Sequence, residues 1–285
     1  MPELPEAETI ARGLNAVLPG RTIQRVKVPR ADVVSGAPAP FARSLEGRKV
    51  VRVGRRGKNV VFELAPSSRL VVNLGMTGRL LTSPSADPPP GSAHPGVLFR
   101  FDDDSSLIYD DIRRFGRLSH LEGPAWKKWS RTLGPEPLGS TFTGDRFLHV
   151  LSSSRSPIRS LLLDQRKVAG VGNIYAVEAL WKAGVHPASP SNGLGTAAGR
   201  RLHRALRQIL RRAIEARGTT LKDYRTADGG TGGFGPELLA YGREGDGCKR
   251  CSTAIERMRL GGRSAYYCPK CQLLPAPDQS STSAA

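Results

Sequence analysis

The chain has four cysteines, all near its C-terminus, spaced Cys248-x2-Cys251-x16-Cys268-x2-Cys271. Two C-x2-C knuckles at this distance have the spacing of a four-thiolate zinc site, and the other use of such a set is a redox pair. Structural disulfides are rare among thiols in a reducing compartment. Between the knuckles, Gly261-Gly262 lies between β-favouring flanks, which predicts a hairpin with Arg263 directly after its turn. Lys249, Arg250, Arg257, Arg259, Arg263 and Lys270 face a single acid there, Glu256. A metal contributing on the order of 10 kcal/mol would hold this basic hairpin rigid. The expectation is one structural zinc per chain.

Charge narrows the partner. Lys and Arg number 43 against 25 Asp and Glu, a net charge of +18. An excess this large disfavours compaction unless a polyanion neutralises it. Nucleic acid is the first candidate, ahead of an anionic membrane or ribosomal RNA. Most of the excess is arginine, which suits bidentate phosphate contacts. No stretch approaches the roughly 18 continuous apolar residues of a membrane span, and the acidic N-terminus lacks the apolar core of a signal peptide. The expectation is a cytoplasmic, nucleoid-associated monomer. Its 285 residues suggest about two domains.

Hydrophobic periodicity divides the chain. Residues 4–18 read as one helix, with Ile10, Leu14 and Leu18 on its apolar face. Strands are expected at 23–28, 49–53, 59–64, 69–74, 97–101 and 106–110, the pattern of a sandwich or barrel. Residues 83–96 are Pro-rich and read as a solvent loop. Helices follow at 144–152, 157–164, 173–183 and 197–216. Arginines of the last helix fall mainly outside its apolar stripe, as a solvated face would require. Residues 227–236 are Gly-rich, either an idle linker or a mobile cover carrying Phe234.

Several short motifs carry chemistry. The chain opens Met1-Pro2-Glu3-Leu4-Pro5-Glu6-Ala7-Glu8. Removal of Met1 would leave Pro2 as a free secondary amine. An α-amino group has a pKa of roughly 7.7–8.0, so an appreciable fraction is uncharged near neutrality and can form a Schiff base. Glu3, Glu6 and Glu8 are nearby carboxylates able to exchange protons. The plainer reading is a capped helix start. Val168-Ala169-Gly170-Val171-Gly172-Asn173 precedes a helix, and its exposed N–H groups suit an anion or an ordinary cap. The basic residues Arg155, Arg159, Arg166 and Lys167 before it favour phosphate. Met76, in Leu74-Gly75-Met76-Thr77-Gly78, and Phe115, in Arg113-Arg114-Phe115-Gly116, are either core residues or wedges pushed between bases.

In order along the chain stand Pro-Glu-Leu-Pro-Glu, Leu-Gly-Met-Thr-Gly, Arg-Arg-Phe-Gly, Gly-Pro-Glu-Pro-Leu, Asp-Gln-x-x-Val-Ala-Gly-Val-Gly-Asn-Ile-Tyr-Ala, Gly-Thr-Thr-Leu-Lys-Asp-Tyr and the four-cysteine finger. Over residues 2 to about 271 this resembles the bacterial formamidopyrimidine-DNA glycosylase family, bifunctional enzymes that are also abasic-site lyases. The resemblance implies an α+β multidomain chain. An N-terminal catalytic β-sandwich with a leading helix would span 1–132 and a linker 133–143. A helix-two-turn-helix DNA-binding domain would span 144–245, a β-hairpin zinc finger 246–272 and a disordered tail 273–285.

The resemblance also assigns roles. Pro2 matches the nucleophile and Glu3 the proton donor to the sugar. Lys58 matches the proton donor of β-elimination and Arg263 that of δ-elimination. Met76, Arg113 and Phe115 match the residues that fill the gap left by a flipped base. His94, Arg155, Asn173 and Arg263 match DNA-backbone contacts, Arg159 is taken with them, and Lys222 begins a lesion-covering loop. Asn73 departs from the family's usual His. The implied partner is double-stranded DNA with oxidised purines (8-oxoguanine, formamidopyrimidines) or abasic sites. The neighbouring alternative is endonuclease VIII, acting on oxidised pyrimidines; Leu4 and Arg-Arg-Phe-Gly favour the purine branch. The alternative from another class is a noncatalytic zinc-finger DNA-binding protein.

Overall fold

A computed structural model describes residues 2–274, except Ala86, Pro88, Pro90, 221–223 and Asp228. Lys222 and residues 275–285 of the expected tail lie outside the described residues. The chain divides into two compact units: residues 1–136, 168–171 and 210–237, and residues 137–167, 172–209 and 238–285.

The first unit contains α1 (Leu4–Asn15), β1 (Ile23–Lys27), α2 (Pro38–Leu45), β2 (Val50–Arg56), β3 (Asn59–Leu64), β4 (Ser68–Asn73), β5 (Arg79–Ser83), β6 (Pro95–Phe101), β7 (Ser106–Asp110), β8 (Arg117–Glu122) and α3 (Gly123–Arg131). Its strands form two four-stranded antiparallel sheets, ordered β1-β6-β7-β5 and β2-β3-β4-β8. Inward side chains of both sheets join Ala7, Ile10, Ala11 and Leu14 of α1 in one core. Each fully buried Leu, Ile, Val or Phe of this core contributes roughly 1.5–3 kcal/mol. The β-sandwich with its leading helix is thus as expected.

Four elements escaped the periodicity. β5 and β8 are short strands without clean alternation. α2 and α3 begin with prolines, which read as loop but suit the first turn of a helix, where no N–H partner is needed.

Register brings three connections to one end of the sandwich. β2 and β3 are joined by the two-residue turn Gly57-Lys58, closed by the pair Arg56↔Asn59. Asn59 then pairs with Asn73, and Asn73 with Arg117. On the other sheet Arg79 pairs with Asp110. Hence β4→β5 (74–78) and β7→β8 (111–116) both pass from one sheet to the other, side by side.

The second unit holds α4 (Gly144–Ser152), α5 (Ile158–Leu163), α6 (Asn173–Ala183), most of α7 (Thr196–Glu215), and the hairpin β9 (Glu256–Leu260) and β10 (Arg263–Tyr267). Two successive turns over 164–172 separate α5 from α6. The hairpin turns at Gly261-Gly262 with Arg263↔Leu260 paired. A small core of Val177, Trp181, Ala240, Cys248, Ile255 and Cys268 seats the finger against α6. Residues near 234 are not a loose cover: Phe234 is 2% exposed and its N–H donates to Gly218 O at 3.0 Å.

Candidate functional site

The capped helix start is observed at the N-terminus. Pro2 is buried and Glu3 caps α1, its N–H donating to Glu6 Oε2 at 2.8 Å. Glu6 also accepts from Thr219 N at 2.8 Å. Glu8 is bound by Arg12 and Arg55 at 2.8 and 2.9 Å. Burial alone would raise the Glu8 pKa, but hydrogen bonds and charge from Arg55 and Arg12 outweigh it and hold the carboxyl low. Glu6 and Glu8 are therefore structural acceptors, and Glu3, whose side chain accepts from the Glu6 N–H in the capping box, is the carboxylate adjoining Pro2. Leu4 N donates to Gly170 O at 3.0 Å. Gly170 has φ +86, and a Cβ there would meet Leu4 at 2.8 Å, so this glycine is what lets the 168–171 segment lie against the start of α1.

The same segment meets the turn bearing Lys58: a Cβ on Gly57 would stand 3.5 Å from Gly170 N. Glu136 fixes this turn, accepting from Gly57 N at 2.7 Å, Arg55 Nη1 at 2.6 Å and Arg56 Nη1 at 2.9 Å. Arg56 Nη2 also donates to the carbonyls of Ser130, Leu133 and Gly134. The Gly-Pro-Glu-Pro-Leu stretch, expected to serve as a connector, thus also braces the Lys58 turn.

The two sheet-to-sheet connections carry Met76, Arg113 and Phe115, the three residues expected to act as wedges. Met76 is 39% and Phe115 59% exposed, and Arg113 is exposed as well, so none of the three is a core residue. The Arg113 guanidinium lies 4.7 Å from the Phe115 ring centroid. Asn73 Oδ1 accepts from Gly75 N at 3.0 Å while its Nδ2 donates to Asn59 Oδ1 at 2.9 Å. The asparagine that departs from the family pattern thereby caps the Met76 turn. Exposed His94 sits beside this end, its N–H on Asp110 Oδ2 at 2.6 Å and its carbonyl accepting from Asp111 N at 3.1 Å. Thr77, Arg79, His94, Asp110, Ile112 and Arg225 line an open cleft there.

In the second unit the structure corrects one expectation. Arg159 is only 1% exposed, so it is not displayed toward a phosphate. Its guanidinium donates to Asn173 Oδ1 at 2.6 Å, Leu260 O at 2.7 Å and Ser264 O at 3.2 Å. Asn173 Nδ2 also donates to Ser264 O at 2.9 Å. Leu260 and Ser264 flank the hairpin tip, so Arg159 and Asn173 brace the segment that carries exposed Arg263. Arg155 is exposed. Sequence reasoning missed Asp111, Glu136 and Arg159 as supports, because a carboxylate or guanidinium gives no local signal of what it will bind across the fold.

The sulfur atoms of Cys248, Cys251, Cys268 and Cys271 lie within 4.8 Å of one another. Zn–S bonds of about 2.3 Å around a tetrahedron require sulfurs roughly 3.8 Å apart, which this cluster can satisfy. Arg250 N and Cys271 N point at the Cys248 and Cys268 sulfurs at 3.5 and 3.4 Å, contacts that favour thiolate, while burial, the largest cause, leaves the Cys268 thiol raised. Hydrogen bonds from the Thr253 side chain and N–H hold the Cys251 thiol down at about 6. The donor set fits one structural zinc.

A β-sandwich with a leading helix, a helix-two-turn-helix unit and a four-cysteine hairpin define a DNA glycosylase. Residues 1–118 match the formamidopyrimidine-DNA glycosylase N-terminal domain, 133–225 its helix-two-turn-helix domain, and 245–273 the zinc finger found in these glycosylases and isoleucyl-tRNA synthetase. A formamidopyrimidine-DNA glycosylase of Heliobacterium modesticaldum is 40% identical, the match covering 95% of this chain and all of the relative. The crystal structure of a point mutant of the Lactococcus lactis enzyme with Fapy-dG-containing DNA superposes with a TM-score of 0.89 at 32% identity, covering 95% of this chain and 100% of that one. The Thermus thermophilus protein gives 0.85 at 39% identity, covering 96% and 100%. The chain belongs to the formamidopyrimidine-DNA glycosylase family. Among the described residues no helix is long and apolar enough to cross a membrane.

Proposed function

We propose that this protein excises oxidised purines, 8-oxoguanine and formamidopyrimidines, from duplex DNA and then cleaves the strand, a bifunctional glycosylase and abasic-site lyase of base excision repair. The observation that carries this reading is the gathering of Pro2-Glu3, the Lys58 turn and three exposed wedge residues in one unit, the latter on adjacent connections. With Met1 removed, the Pro2 amine attacks C1′ and the N-glycosyl bond breaks, the base departing with the bonding pair and gaining a proton. Glu3 protonates the sugar ring oxygen as C1′–O4′ opens, which leaves an iminium on Pro2. The C2′ proton passes to solvent, its bonding pair forms the C2′=C3′ double bond and the C3′–O bond breaks, the departing 3′ phosphate taking a proton from Lys58 in this β-elimination. Arg263 serves the δ-elimination that expels the 5′ phosphate, and water releases Pro2. Zinc supplies no step; it would be held by the four cysteines and order the hairpin bearing Arg263. Met76, Arg113 and Phe115 occupy the gap left by the extruded base, offsetting part of an unstacking cost of a few kcal/mol.

Arginine presents only donors, so Arg113 suits a partner base with free acceptors, such as O2 and N3 of cytosine. Excision opposite C should therefore outpace excision opposite A. The test is borohydride trapping on 8-oxoguanine duplex: wild type should yield a covalent adduct, and Pro2→Gly should lose it. Cleavage of abasic DNA without any trapped species rejects the Schiff base. Faster removal of thymine glycol or dihydrouracil than of 8-oxoguanine opposite C moves the protein to the pyrimidine-directed branch.

A further inference from the structure

We propose that Asp111 is a positioning residue that locks the wedge into its extrusion-ready geometry. This rests on the functional reading above and deepens it, because Asp111 touches no reacting atom. It is 2% exposed and follows directly on the strand from which the chain crosses between sheets. One carboxylate oxygen, Oδ1, accepts from Thr77 Oγ1 and from Arg113 N at 3.3 Å, and Arg113 N also donates to that same Thr77 Oγ1 at 3.1 Å. The other, Oδ2, accepts from Tyr109 OH at 2.8 Å and Gly116 N at 2.9 Å. Thr77 lies directly after Met76, while Arg113 and Gly116 bracket Phe115. A single carboxylate thus ties both wedge-bearing connections together, and its own N–H holds the His94 carbonyl.

The wedge needs such a tie because its side chains are exposed and no core packing holds them. The outer side of the same connection is tied by Arg114, which sits at φ +54 and pairs with Asp32 at 3.0 Å. That backbone conformation is costly for a non-glycine residue and persists only where neighbours enforce it. Burial, and then the charge of Asp111, push the Tyr109 hydroxyl far above its usual range, so it stays a proton donor to the carboxylate. Backbone close approach completes the seam: a Cβ on Gly75 would lie 2.5 Å from Gly116 N. A wedge ordered before binding does not lose conformational freedom when it enters the stack, so more of the contact energy goes into extruding the base.

Asp111→Asn keeps the shape but turns one acceptor into a donor facing donors. Tyr109→Phe removes one donor alone. Single-turnover rates should be read on 8-oxoguanine opposite C, on 8-oxoguanine opposite A, and on a preformed abasic site opposite C. Asp111→Asn should slow excision opposite C by at least about tenfold, with abasic cleavage within about threefold and the C-over-A preference narrowed. Tyr109→Phe should shift the same ratio in the same direction by a smaller factor, and it decides the matter alone if Asp111→Asn does not fold. Equal loss of excision and abasic cleavage means that Asp111 only stabilises the fold, and overturns the proposal, as does an unchanged ratio. Wild type that never excises 8-oxoguanine overturns the functional reading itself, whereas wild-type excision with an unaltered ratio in the variants overturns this inference alone.

Discussion

Glu136 shows how a side chain far along the sequence governs a turn. It is the shared acceptor for Arg55, Arg56 and Gly57 N, and the two arginine side chains are only 10% and 17% exposed. Removing the acceptor leaves two neighbouring guanidiniums partly desolvated and less well paired. Glu136→Gln should cost about 2 kcal/mol of stability, less than a fully buried pair because Glu136 retains solvent contact. It should slow β-elimination more than base release, since Lys58 rides on this turn. Urea denaturation and product gels read the two effects. Arg155 and Arg159 make a paired contrast four residues apart. Arg155→Ala should lower the slope of log K against log salt by about one if it neutralises a phosphate. Arg159→Ala should leave that slope unchanged and instead reduce δ-elimination product, because the tip bearing Arg263 loses its brace. A slope change with Arg159→Ala would return it to the phosphate contacts.

The zinc hairpin is the element where sequence reading reached furthest. Cysteine spacing and Gly261-Gly262 were sufficient for metal and turn, since the ligands and the turn residues lie close together in the chain. Elemental analysis should find one zinc per chain, and Cys268→Ser should lose it and weaken DNA binding while the sandwich still folds. Strands β3 and β7 were equally legible, their boundaries at Asn59–Leu64 and Ser106–Asp110 set by compact apolar runs. β5 and β8 were not, because what makes them strands is pairing with β7 and β4 across long sequence separations. For the site, the motifs named exposed Met76, Arg113, Phe115 and Arg263 but not Asp111, Glu136 and Arg159, which hold the segments that carry them or their neighbours. Arg159 is the sharpest case: a basic residue in a basic stretch reads as surface, and only the packing of α5 and α6 against the hairpin buries it.

Summed over the chain, charge and burial set the response to solution conditions. With a net charge of +18, DNA affinity should fall steeply with salt as counterions are released. Acid should act on the fold. Burial, the largest cause in each case, lowers the pKa values of His120, His186 and His203 below the usual imidazole value of about 6.5. Between that value and the lowered ones, the unfolded chain binds more protons than the folded one. Stability is therefore full above about pH 7 and declines as pH falls through the unfolded-state value. Melting temperatures from pH 7.5 to 5 should drop, and His203→Gln should flatten the decline. His203 takes part through its Nε2, 2.8 Å from Phe142 O, and through the surrounding Arg200, Arg204 and Arg207.

The paired crossings at 74–78 and 111–116 give the sandwich two unlike ends. At one end, the loops that would touch DNA are also the seams through which the backbone changes layers, so their lengths are set by architecture before chemistry makes any demand. Lengthening either seam would shift the strand that follows it and turn inward side chains outward. At the opposite end, the turns 65–67 and 102–105 reverse direction within one sheet, the second also binding Thr22 through Asp102 and Arg21 through Asp103. Variation in length can accumulate at 65–67 without cost to the end that carries Met76 and Phe115, and a tag or reporter belongs there too.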